Sequence, residues 1–299
     1  MRPADRSGQV RAQWVRETGR VVAHEGDGEI CKLTVCAPEI ARRAVPGQFV
    51  QVHPVPARLP GRAPGAPRPG GPGPASAGTG GALLLRRPFS FCEIRPGPGE
   101  IALIYRVVGR GTRALSQAPV GVELDLLGPL GRSFPDPRAG RGRLVLIGGG
   151  LGIPPMAAAA RWAVQAGRDA VAILGARTAR DLAGAREVAA CGIPVVTVTE
   201  DGSAGQQGIV TEPLERMLRH GAANLVGEVW ACGPEPMLVA VKRLCAAARV
   251  PCFVSVERFM GCGFGACLGC TVPRAAGGYL KACQDGPVFP AEEVVLGDV

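Results

Sequence analysis

The sequence predicts an antiparallel β-barrel, then a doubly wound α/β domain built on a parallel sheet, then a small cysteine-rich C-terminal domain. Three observations carry this prediction. Short runs of alternating apolar and polar side chains fill residues 20–127, strands alternate with helical segments from Arg141 to Val256, and four cysteines crowd between 262 and 283. The 299 residues give room for about two full domains with a buried core.

In the first half the runs are Val21-Val22, Ile30 to Val35 and Phe49-Val50-Gln51-Val52, split by the turn signals Gly26-Asp27-Gly28 and Pro46-Gly47. Further runs at 83–94, 101–108 and 122–127 complete a barrel expected over residues 10–139. Between two of them, residues 54–82 hold eight Pro and eight Gly. That composition cannot bury apolar surface, so the segment is expected to be a mobile or disordered insertion in a strand connection.

From Arg141 the period changes. Apolar strands are expected at 144–147, 170–174, 195–198 and 226–230, with a last one at 253–256. Helical segments near 154–166, 181–190, 211–220 and 236–248 separate them, which implies a parallel sheet over 140–257. Residues 258–299 form the cysteine-rich tail.

Charge excludes one class of function. The chain carries 34 Lys+Arg against 25 Asp+Glu, a net +9, and 31 of the basic residues are Arg. Six of those nine charges fall in residues 1–20 and 54–82, and aromatics make up only 4%. A nucleic-acid module would concentrate charge on its folded part, beside aromatics or a groove-reading helix. No N-terminal segment combines a charged start, an apolar run and a small-residue cleavage site. The longest apolar stretch, 144–160, is broken by glycines and by Pro154-Pro155, unlike a spanning helix. The seven scattered cysteines read as small reduced core residues, so the expected location is cytoplasmic.

The strongest motif is Cys262-Gly-Phe-Gly-Ala-Cys267-Leu-Gly-Cys270, followed by Cys283. Thiolates hold a [2Fe-2S] cluster when a loop can wrap it closely, and the C-x4-C-x2-C spacing is that of plant-type ferredoxin loops. A structural zinc site is the alternative, although zinc prefers paired C-x2-C units. Arg87-Pro88-Phe89-Ser90 ends a barrel strand, with Tyr105-Arg106 and Gly109-Arg110-Gly111-Thr112 downstream. Gly111 and Thr112 are expected just before a helix-like stretch, where their N–H groups could cradle a diphosphate. An aromatic and a hydroxyl beside a phosphate-binding Arg suit a flavin ring. Gly148-Gly149-Gly150-Leu151-Gly152-Ile153-Pro154-Pro155 joins the first parallel strand to a helix, where an open parallel sheet accepts nucleotide phosphates. Cys232-Gly-Pro-Glu-Pro-Met stands at the ligand-binding edge of a later strand. No Ser-His-Asp or paired-carboxylate arrangement stands out, and His24, His53 and His220 are too scattered to suggest a metal site.

Taken in order, Arg-Pro-Phe-Ser, Gly-x-Gly-Thr, Gly-Gly-Gly-x-Gly-x-Pro-Pro and Cys-Gly-Pro resemble the ferredoxin–NADP reductase superfamily. The tail narrows this. Ser255-Val-Glu-Arg-Phe-Met-Gly followed by the cysteine loop, then Lys281-Ala-Cys-Gln-Asp-Gly-Pro-Val-Phe289, is similar to the electron-transfer subunits of class B dihydroorotate dehydrogenases. The likeness covers about residues 18–296 without the insertion.

The resemblance implies roles. Arg87 would bind the FAD diphosphate, Phe89 would lie near the isoalloxazine, Ser90 would hydrogen-bond its reactive nitrogen, and Pro88 between them would belong to the same cofactor site. Ile104, Tyr105 and Arg106 would line the FAD site, with Gly111 and Thr112 on the diphosphate. Gly148, Gly149, Gly150 and Gly152 would receive NAD, and Cys232 would stand beside the nicotinamide, Ser90 and Cys232 forming the catalytic pair. Cys262, Cys267, Cys270 and Cys283 would hold the cluster. The implied partner is an FMN-containing catalytic subunit, in a heterotetramer of two of each chain, serving pyrimidine biosynthesis. A subunit of the NAD(P)H:ferredoxin oxidoreductase type is the nearest alternative; there the first cluster ligand is often Asp, whereas position 262 is Cys. Arg177 and Arg180 stand where a 2′-phosphate would be met, which leaves NAD and NADP both open.

Overall fold

A computed structural model describes residues 8–54, 85–219 and 226–297. The expected Pro/Gly-rich insertion lies, apart from Pro54, outside the described residues.

The alternating runs form β1 (Gln9–Arg11), β2 (Val15–Gly26), β3 (Ile30–Cys36), β4 (Phe49–Val52), β5 (Arg87–Ser90), β6 (Glu93–Arg95), β7 (Glu100–Arg106), β8 (Glu123–Leu130) and β9 (Arg132–Pro135). Seven of them make one curled antiparallel sheet in the order β5-β4-β8-β2-β3-β7-β6. Its concave side buries Leu33, Val35, Val50, Val52, Leu103 and Leu126, every second residue of each strand. Two short helices cap the barrel, α1 (Pro38–Arg43) and α2 (Arg110–Ser116). The single run expected at 83–94 is interrupted. Phe91 and Cys92 turn the chain between β5 and β6, and both side chains are buried at the bend.

The second half gives β10 (Arg143–Gly149), α3 (Ile153–Gln165), β11 (Ala170–Ala176), α4 (Ala185–Ala189), β12 (Val195–Thr199), β13 (Gln206–Gln207), α5 (Thr211–Arg219), β14 (Val226–Cys232), α6 (Glu235–Ala248) and β15 (Cys252–Ser255). Helix α3 is buried almost all round, because it is sandwiched between the sheet and α4. The tail adds a hairpin, β16 (Thr271–Pro273) with β17 (Tyr279–Lys281), and then β18 (Val288–Pro290). The sheet order is β13-β12-β11-β10-β14-β15-β18, parallel except for the last strand, which runs antiparallel to β15. The tail is therefore continuous with the nucleotide domain: Cys270, Cys283 and Phe289 share one apolar core with Val229, Val254 and Leu238.

Barrel and sheet are fastened at several points. Phe134 of β9 stacks on Trp230 of β14 with centroids 4.8 Å apart. Arg106 of β7 reaches Asp181 at 2.6 Å. Lys32 of β3 lies 2.6 Å from Glu93 of β6 and 2.8 Å from Glu187 of α4. Burial alone would push the Glu93 carboxyl up, but the hydrogen bond and charge of Lys32 outweigh it and hold Glu93 below the usual range. A carboxylate with a depressed folded pKa adds stability at neutral pH and loses it as pH falls through that pKa. Lys32→Met should therefore cost on the order of 1–3 kcal/mol at pH 7, between the values of exposed and buried pairs. The deficit should shrink as pH falls toward 4 and the stranded Glu93 carboxylate protonates. Melting temperatures of both proteins across that range check the prediction.

Candidate redox site

Arg87 opens β5 and lies over the first turn of α2. A Cβ placed on Gly111 would come within 2.6 Å of the Arg87 Nε, so the helix approaches the guanidinium because residue 111 has no side chain. Arg87 Nη1 donates to the Leu85 and Arg86 carbonyls at 2.7 and 3.3 Å, which fixes the fork. Helix α2 begins at Arg110, three residues earlier than the sequence suggests, so Gly111 and Thr112 sit within its first turn. Thr112 Oγ1 accepts from the Val108 and Gly109 N–H groups at 3.0 and 3.1 Å and so shapes the turn. Its hydroxyl is engaged by its own loop, so the groups left that could receive an anion are the backbone N–H groups of the turn and the Arg87 fork.

Strand register divides the rest of the motif between two faces. Phe49 pairs with Ser90, Val50 with Phe89, and Gln51 with Pro88. Cross-strand partners share a face. Val50 and Phe89 point into the barrel, where the Phe89 ring lies 5.2 Å from that of Tyr105. Tyr105 is buried, with its hydroxyl 3.2 Å from His24 Nε2, and burial raises its pKa far above the ordinary value. Both rings therefore act from inside the barrel, by shaping β5 and β7. Ser90, Pro88, Gln51 and Phe49 occupy the outer face, where Phe49 joins the core that holds Cys270 and Cys283. Ile104 and Arg106, flanking Tyr105, turn toward the nucleotide domain.

At the sheet edge, β10 leads through Gly150–Gly152 into α3. The glycines are not equivalent. A Cβ on Gly152 would strike the Cys232 carbonyl, and one on Gly149 would come within 2.6 Å of Met237 Sδ, so these two let the β10 and β14 loops touch. Gly150, at φ +52°, has open space where its Cβ would stand, so it faces the groove. Gly148 packs against Ile153 and lies beside Cys232 in the β10–β14 register. Burial pushes the Cys232 thiol up to about 12, even with Ser255 in hydrogen-bonding contact. Cys232 is thus neutral at working pH. Arg180 reaches Glu29 at 3.4 Å.

The tail cysteines form two pairs. Cys262 contacts Cys267 on the exposed loop, and Cys270 contacts Cys283 in the buried floor. Burial would raise the Cys262 thiol, but N–H groups of Cys267, Phe264 and Ala266 converge on its sulfur and bring it down to about 7. Cys283 is pushed up to about 12 by burial and by the adjacent thiol of Cys270. Among the described residues no three metal-ligating side chains converge on one point. Cys262 is also within electrostatic reach of Cys283, so the four thiols gather at one loop and hairpin and would together hold a cluster. The donor set fits a [2Fe-2S] cluster. In cluster-free protein, iodoacetamide at pH 7.5 should modify Cys262 much faster than Cys232 or Cys283, as peptide mass spectrometry would report.

Sequence reasoning missed the surroundings of this loop. Trp14 lies 6.0 Å from Phe264, and these two with Arg11, Leu130, Cys283 and Gln284 line a cavity of about 290 Å³ beside the cluster loop. Phe259 is 96% exposed and Leu268 61%. A lone aromatic in a loop carries no sequence signal of a shared surface.

An antiparallel barrel with an arginine over a helix turn, joined to a parallel sheet with an open glycine turn, is the architecture of a flavin- and nicotinamide-dependent reductase of the ferredoxin–NADP reductase type. The comparisons narrow the class. Residues 257–295 match the iron-sulfur cluster binding domain of dihydroorotate dehydrogenase B, and residues 146–243 match the oxidoreductase NAD-binding domain. The dihydroorotate dehydrogenase B (NAD(+)) electron transfer subunit of Geobacillus thermodenitrificans is 38% identical over 268 residues, covering 89% of this chain and 92% of that one. The corresponding subunit of Bacillus caldolyticus is 43% identical over 217 residues, covering 71% and 81%. The chain belongs to this family of electron-transfer subunits. Among solved structures, an NADH-dependent reduced ferredoxin-NADP oxidoreductase matches with TM-score 0.74 and 26% identity, covering 93% of this chain and 89% of that one. An Amycolatopsis cytochrome P450 reductase shares the fold at TM-score 0.57 and 24% identity, covering 80% and 68%.

Proposed function

We propose that this chain delivers electrons from an FMN-bearing dihydroorotate dehydrogenase catalytic subunit to NAD+, by way of a [2Fe-2S] cluster and FAD, in pyrimidine biosynthesis. Bound in these sites, the flavin supplies exchange between hydride and single-electron chemistry, and the cluster supplies single-electron steps.

The residues divide the work. Arg87 and the first turn of α2 anchor the diphosphate, Ser90 presents its hydroxyl to the flavin's reactive nitrogen, and Pro88 backs the ring from β5. The turn at Gly148–Gly152 receives the nicotinamide dinucleotide, and the neutral Cys232 thiol adds no charge at the ring. The observation that carries the reading is the position of the cluster loop. It lies beside the outer face that bears Ser90, and it sits at the surface among Phe259, Phe264, Leu268 and Trp14. Exposed apolar side chains around a redox loop support docking of a partner there. The proposed assembly is a heterotetramer of two of each chain.

NAD rather than NADP is favoured by the relatives, which are named as NAD(+) enzymes. No helix among the described residues is long and apolar enough to cross a membrane. The cytoplasm is the proposed location, on the reading of the seven scattered cysteines as small reduced core residues.

Co-expression with an FMN-bearing dihydroorotate dehydrogenase chain is the test. The reading expects a stable complex with NAD+-linked dihydroorotate oxidation, while this chain alone reduces dyes with NADH and leaves dihydroorotate untouched. The ferredoxin-NADP oxidoreductase likeness supports a second reading, service to another partner. Failure to form the complex, with NADPH-to-ferredoxin activity instead, would favour it.

A further inference from the structure

Gln51 is fully buried on β4, and neither its amide nitrogen nor its amide oxygen has a hydrogen-bond partner among the described residues. Burying a carboxamide without partners costs free energy, so such a side chain is retained where a bound group completes it. Its position says which group. Gln51 shares the outer face of the barrel with Pro88 and Ser90, the face turned to the flavin seat. From there its amide end presses on the cluster loop: a Cβ on Gly263, the residue after Cys262, would lie 2.8 Å from Gln51 Nε2. Gly263 itself has φ +83° and is buried, so the loop meets the amide with bare backbone.

We propose that Gln51 is a positioning residue between the two redox groups, its amide N–H donating to a sulfur of the cluster held by the adjoining loop. Donors to cluster sulfurs stabilise the reduced, more negative state and so raise the reduction potential. Phe49, Leu127 and Leu130 pack around this amide in the core that also holds Cys270 and Cys283. Gln51 therefore both supplies a hydrogen bond and holds the loop at a fixed distance from Ser90. This inference rests on the proposed reading of the cluster and flavin sites.

The test is Gln51→Met in the full chain, which keeps length and volume while removing the donor. Iron, labile sulfide and flavin content should stay at wild-type levels. EPR-monitored redox titration should show the cluster harder to reduce by about tenfold in the equilibrium constant, which is 59 mV for a one-electron couple. The flavin potential should hold still. Gln51→Asn, which retains the donor on a shorter stem, should fall between wild type and Met. An orphan amide with only a structural role would instead give a more stable Met variant with an unchanged cluster potential, and that result overturns the proposal. Movement of the flavin potential alone also overturns it, by placing the contact on the flavin. Loss of the cluster in both variants would do the same, because the amide would then be scaffolding for the loop. Wild-type protein lacking cluster or flavin absorption would defeat the underlying site reading instead.

Discussion

Cys267→Ser is expected to remove the [2Fe-2S] absorption and leave the flavin bound. Cys267 is the exposed member of the outer thiol pair, so its replacement would remove one of the four thiolates that would hold the cluster, while the buried Cys270 and Cys283 remain. A serine hydroxyl is a hard, weakly acidic ligand and cannot replace a soft thiolate in a four-sulfur cage. Changes in outer-shell residues already cost about 10–100-fold in metal affinity, so loss of a ligand should exceed that. In the complex with the catalytic subunit, dihydroorotate-to-NAD+ transfer should fall at least about 100-fold, whereas NADH-to-dye activity should survive. The exposed position argues that the fold persists, because no core residue is touched. Transfer at the wild-type rate in a variant shown by iron and sulfide analysis to lack the cluster would mean that electrons bypass it.

The barrel and the α/β domain were legible because their signals are local. Alternation in 30–36 and 100–106 places Leu33, Val35 and Leu103 in the barrel core, and the apolar strand-helix rhythm after Arg141 yields the parallel strands in order. What the sequence withheld depends on contacts far apart along the chain. Strand β18 is three residues long and its pairing with β15 has no local signature, so the tail reads as separate although it closes the nucleotide sheet. The helix expected at 181–190 shortens to Ala185–Ala189, because residues 179–181 form a tight turn that aims Asp181 at Arg106. The spacing of Cys262, Cys267, Cys270 and Cys283 pointed to a cluster, and residues 257–295 match an iron-sulfur cluster binding domain. Their division into an outer and an inner pair was not legible, since it requires the β16–β17 hairpin to return Cys283 beside Cys270. Gln51 illustrates the limit most clearly: that its buried amide lacks hydrogen-bond partners among the described residues follows from the fold and has no signature in the run Phe49–Val52.

Arg87→Ala should weaken FAD binding strongly, and Arg42→Ala should leave it unchanged, although each removes one positive charge from the same barrel. Arg42 is exposed on α1 and pairs with Glu39 one turn away, at 2.6 Å, so its removal alters a screened surface field. Arg87 differs in three respects. Its fork is held by two backbone carbonyls, it lies over the Gly111 turn, and it is partly shielded from water at the mouth between β5 and α2. A charge-assisted hydrogen bond to a diphosphate in such a setting is worth about 1.5–3 kcal/mol, or roughly tenfold to a hundredfold in affinity. The fold should tolerate the change, because the side chain joins none of the three apolar cores and forms no ion pair among the described residues. Flavin fluorescence on dilution of each purified variant gives the dissociation constant directly. Equal retention by Arg87→Ala and wild type would remove the diphosphate from this corner, and with it the placement of the flavin on the outer face of β4 and β5.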